Sequence, residues 1–66
     1  LDPSNGQSYY YLSEAWLAKG EENLPQAAQF NRLAGIYLAS DDEWMGKVES
    51  QRVRIEEVRN STRPGL

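Results

Sequence analysis

Cysteine and histidine are both missing from this chain of 66 residues, and the two absences remove much of the usual small-domain chemistry. Without cysteine no disulfide can staple so short a fold, and without either residue there is no zinc ligand set. The customary general base, thiol nucleophile and transition-metal ligands of an active site are lacking as well. Carboxylate pairs remain at Glu21-Glu22, Asp41-Asp42 and Glu56-Glu57. Neighbours on a helix point about 100° apart, however, and do not converge on one substrate atom. No apolar run approaches the roughly 20 residues of a membrane-crossing helix, and no charged-then-apolar leader opens the sequence. Catalysis, a bound cofactor or metal, and membrane insertion are therefore not expected.

Basic residues are also few: seven Lys and Arg stand against ten Asp and Glu, for a net charge of −3. That balance argues against a nucleic-acid partner, which requires clustered cations. The charge is unevenly placed. Residues 1–43 hold two cations and seven carboxylates, net −5, whereas residues 44–66 hold five cations and three carboxylates, net +2. Carboxylates interrupt the basic end throughout, as on the solvated face of a helix. A chain of this length with 39% hydrophobic residues is one small domain or a piece of a larger one. At ~25 cal/mol per Å² of buried apolar surface against ~1.5 kcal/mol of ordering per residue, its stability nearly cancels. Support from neighbouring chain or another subunit is expected. The sequence opens on Leu1 rather than methionine, as a fragment or processed product would.

What the chain does contain is helical patterning. Residues 1–6, Leu-Asp-Pro-Ser-Asn-Gly, carry turn chemistry, and a first helix is expected from about Gln7 to Lys19, stopping at Gly20. Its packing face is read as Tyr9, Leu12 and Trp16, with small Ser13 between them. Pro25, tolerated in a first helical turn, opens a second helix expected to reach Ala39. The buried face of that helix is read as Ala27, Phe30, Ala34, Tyr37 and Leu38, and Gly35 inside it implies some close contact. Ser40-Asp41-Asp42-Glu43 suits a capping box for a third helix over about 41–58. The stripe of that helix is Trp44, Val48, Ile55 and Val58, interrupted by Gln51, with Met45 beside it. Glu43–Lys47 and Arg52–Glu56 have i,i+4 spacing. Residues 60–66 are expected to be a flexible tail, and Asn60-Ser61-Thr62 fits the glycosylation acceptor pattern.

Tyr9, Leu12, Ser13 and Trp16, followed by Ala27 and Ala34, resemble a tetratricopeptide repeat, a helix–turn–helix unit of about 34 residues. Leu1-Asp2-Pro3 is similar to the close of a preceding repeat. The turn between the helices is longer than the pattern, Asn31 stands where it has an aromatic, and Ala39 replaces its closing proline. Glu49 and Arg52 show that the third helix does not restart it. The resemblance implies an all-α, three-helix fragment of a right-handed α–α superhelix. Residues 1–6 would close a preceding repeat, 7–39 would form the helix pair, and 40–59 a C-terminal capping helix. An unrelated three-helix bundle is the alternative.

In that family the first helix of each repeat lines a concave groove that holds a partner segment. Carried onto this chain, the groove residues are Gln7, Tyr10, Tyr11, Glu14 and Leu17, and the implied activity is a scaffold binding a protein or peptide partner. The competing reading is structural. Tyr10 and Leu17 would then pack against an upstream repeat, and the segment would cap an array or self-associate through its first helix.

Overall fold

The computed structural model describes residues 3–61, in the order α1 (Pro3–Lys19), a 3-10 turn (Glu21–Asn23), α2 (Leu24–Tyr37) and α3 (Asp42–Ser61). No strand occurs among the described residues, and the all-helical class is as expected. Residues 1, 2 and 62–66, including Leu1-Asp2 of the expected repeat closure and Thr62 of the acceptor pattern, lie outside the described residues.

α1 starts earlier than the turn chemistry suggested. Helix runs from Pro3, so Ser4, Asn5 and Gly6 lie inside it rather than in a turn. Gly6 is there for space. A Cβ on it would sit 2.6 Å from Leu38 Cγ and 2.8 Å from Tyr37 Cβ, so α1 crosses the end of α2 almost in backbone contact. Gly20 does end the helix, at a φ of 127° that side-chain-bearing residues avoid. α2 then opens on Leu24 with Pro25 in its first turn.

Small residues set the α1–α2 seam. Gly6 and Ser13 face Ala27, Ala34 and Leu38, all buried, and the Ser13 hydroxyl donates to the Ala27 carbonyl at 2.7 Å. Bulky side chains flank this seam instead of filling it. Tyr9 stacks on Phe30 with ring centroids 5.9 Å apart and meets Tyr37 at 5.3 Å, leaving all three half-buried. Leu12, expected on the packing face, is 42% exposed. It lies about 100° around the helix from Ser13, and the close Ser13–Ala27 approach turns it outward.

α3 packs mainly on α2 and also reaches α1. Its Val48, Gln51 and Ile55 are buried. Ile55 joins Leu24 and Ala27, with Trp16, Leu17 and Val58 against them. Val48 joins Ala34 and Leu38, with Tyr9, Tyr10, Trp44 and Met45 around them. Trp16 is thus half-buried on the edge of the core rather than enclosed, with the Lys19 ammonium 5.5 Å from its ring centroid. The cap of α3 is Asp41, not Ser40: the Trp44 N–H donates to Asp41 Oδ1 at 3.1 Å. Ser40 belongs to the preceding turn. Arg52 and Glu56 approach to 4.0 Å as their spacing suggested. Lys47 instead sets its ammonium 5.5 Å from the Trp44 ring centroid.

Candidate functional site

The five residues assigned to a groove on α1 divide into two groups. Leu17 packs on the Leu24–Ala27–Ile55 cluster and Tyr10 on the Ala34–Leu38–Val48 cluster. The Glu14 carboxylate accepts from the Gln51 side-chain amide at 2.7 Å and pairs with Arg54. Much of the face assigned to a partner is therefore occupied by α3 of the same chain. Tyr11 stays outside at 61% exposed, and Gln7 is half-buried beside it.

Gln51 is the organising residue of this covered face. Only 1% exposed, it reads in sequence as a break in an apolar row. Its Nε2 donates to the Tyr10 carbonyl at 3.1 Å as well as to Glu14, while its Oε1 accepts from Asn31 Nδ2 at 2.9 Å. Asn31 Nδ2 also donates to the Val48 carbonyl at 3.0 Å. One buried amide pair thereby ties α1, α2 and α3 together. No buried side-chain polar atom among the described residues is left without a partner, which is the condition for such a network to stabilise a core. Asn31, which departs from the repeat pattern, and Gln51, which departs from the stripe, answer one another.

Outside that network lies an aromatic cluster. Tyr10 meets Tyr11 at 5.4 Å and Trp44 at 5.5 Å, and Tyr11 meets Trp44 at 6.0 Å, all three pairs edge-to-face. The rings form a triangle at the junction of α1 and α3, with Tyr11 as its exposed corner and Lys47 over Trp44. Burial, followed by the nearby Glu14 carboxylate, raises the Tyr10 phenol above its ordinary value, with Arg54 opposing. The phenol is therefore neutral across the physiological range. The partnership of Trp44, a member of the α3 stripe, with two tyrosines of α1 has no signal in local spacing.

A second concavity, of about 590 Å³, runs between α2 and α3 on the side away from α1. Its floor includes Ala28, Gly35, Ala39, Met45 and Val48. Gly35 gave reason to expect a close internal contact, yet a Cβ there would meet only Val48 Cγ1, at an ordinary 3.6 Å. Among the described residues no three acidic side chains gather as a metal site would require, and no helix is long and apolar enough to cross a membrane. No family model, curated protein or solved structure matches the chain. The tetratricopeptide resemblance rests on the residues named above.

Proposed function

We propose that this chain is a protein-interaction module, a tetratricopeptide-like helix pair covered by a capping helix, whose partner contact centres on Tyr11 and Trp44. The observation that carries this reading is the exposure of Tyr11 at one corner of a fixed three-ring cluster. Aromatic side chains contribute large contact area at low rotamer cost, and they dominate interface energetics when a rigid framework holds them. Gln7 and Lys47 border the rings with polar and cationic groups suited to the rim of such a contact. The partner is an extended or helical peptide segment, and the module performs no chemistry on it.

Selection of a random peptide library on the folded chain tests this directly. Enriched peptides are expected to lose roughly tenfold or more in affinity on Tyr11→Ala, as hot-spot truncations do. Failure to enrich any peptide, or unchanged binding to the variant, removes the proposal. The engagement of Tyr10, Glu14 and Leu17 by α3 supports a second reading, in which the segment caps a helical array and has no ligand of its own. The same selection, if empty, favours it.

A further inference from the structure

The polar groups around the exposed aromatic corner are free to donate. The Trp44 indole N–H, the Tyr11 hydroxyl and the Gln7 side-chain amide hold no hydrogen bond among the described residues. Gln7 precedes Tyr11 by one helical turn on the same face of α1. Lys47 follows Trp44 by one turn on α3, and its ammonium, 5.5 Å from the indole centroid, pairs with no carboxylate among the described residues. The Glu14 carboxylate beside Tyr10 is already taken by Gln51 and Arg54. The corner therefore offers aromatic surface, donors and a cation without a counter-charge.

That set discriminates among backbones. A helical segment has its carbonyls bonded internally and would leave the donors unmet. A β-strand alternates outward N–H and C=O groups and needs a sheet edge to pair with, and no strand occurs among the described residues. A polyproline II segment differs from both. Its carbonyls point outward unbonded, and each proline lacks the N–H that would otherwise go unpaired. Such segments dock on aromatic side chains, and their stiffness lowers the ordering cost of binding.

From this complementarity of donors and charge we infer that the partner of the corner is an acidic, proline-rich segment in the polyproline II conformation. The inference rests on the peptide-binding reading above and decides between its extended and helical forms in favour of the extended one. Prolines stack on Tyr11 and Trp44, and their carbonyls accept from the indole N–H, the Tyr11 hydroxyl and the Gln7 amide. An adjoining carboxylate meets Lys47. A contact this small lies at the weak end of specific recognition, so dissociation constants of roughly 10⁻⁵ to 10⁻³ M are expected.

Fluorescence anisotropy of a labelled peptide of six prolines followed by two aspartates, titrated with the full chain to about 1 mM, tests this. Saturable binding is expected. It should weaken about fivefold or more when alanines replace the prolines, and again when lysines replace the aspartates. Lys47→Glu and Lys47→Ala alter an exposed position and should leave the circular dichroism spectrum unchanged. The first should invert the preference, so that the lysine-tailed peptide binds the tighter of the two, and the second should abolish it. Tyr11→Phe keeps the ring, removes the hydroxyl and should weaken the proline peptide severalfold. No binding of that peptide, equal binding of its alanine counterpart, or a charge preference that ignores Lys47 would each overturn the inference. The library selection separates the two levels. Enriched peptides that depend on Tyr11 but lack proline would overturn this inference and leave the interaction module standing, whereas an empty selection removes both.

Discussion

Asn31 on α2 and Gln51 on α3 meet amide to amide at 2.9 Å, both buried, where an apolar core would place two hydrocarbon side chains. Each also holds a further element: Asn31 binds the Val48 carbonyl, and Gln51 binds the Tyr10 carbonyl and Glu14. Truncating either leaves a buried amide short of partners and opens a cavity. Asn31→Ala and Gln51→Ala are each expected to cost about 2–3 kcal/mol in urea unfolding. The double variant should cost about 1 kcal/mol less than the sum, because the second truncation removes a group already stranded by the first. Additive costs would mean that the two amides act independently.

Glycines separate the crossing point from the exposed helix surface. Gly6→Ala pushes a methyl into Leu38 and Tyr37, and a destabilisation of about 1–3 kcal/mol is expected despite the better helix former. Gly46→Ala meets nothing within 4 Å and should stabilise by about 0.5–1 kcal/mol. Thermal melts of the two variants should therefore move in opposite directions.

The start of α3 can be located by substitution. Asp41→Ala removes the acceptor for the Trp44 N–H and should cost about 1 kcal/mol. Ser40→Ala should change the urea midpoint negligibly. A larger effect at Ser40 would return the cap to the serine.

Tyr10 gives the fold a pH dependence on the alkaline side. Its folded phenol titrates above the ordinary value of 10.0, so the unfolded chain ionises first and binds fewer protons. Stability from this group is complete below pH 10 and falls as pH rises through the folded value. In urea titrations from pH 9 to about 11.5, Tyr10→Phe should flatten that decline. An equal slope in wild type and Tyr10→Phe contradicts the assignment.

Helices were legible where local chemistry decides them. Pro25 and Gly20 mark ends through φ and the missing N–H, and the Val48–Ile55 stripe marks the buried face of α3. Capping was ambiguous by one residue, because Ser40 and Asp41 both carry suitable acceptors. Leu12 misled because an apolar stripe follows large side chains, while the crossing of α1 and α2 is set by the small ones, Gly6 against Leu38 and Ser13 against Ala27. The coupling of Asn31 to Gln51 was invisible because each alone looks like a defect, and their complementarity spans 20 positions. The engagement of Tyr10, Glu14 and Leu17 by α3 was invisible for the same reason: it depends on tertiary packing that no spacing on α1 encodes.

The decisive measurement is a nuclear Overhauser spectrum of the uniformly labelled chain, read at the Gln51 side-chain amide protons. Cross-peaks to the Asn31 amide group and to the Tyr10 α-proton, in a slowly exchanging Gln51 signal, are expected if α3 closes over α1 and α2 through this residue. A Gln51 amide at random-coil shift, exchanging freely and silent toward both helices, would contradict the three-helix packing on which the covered face depends.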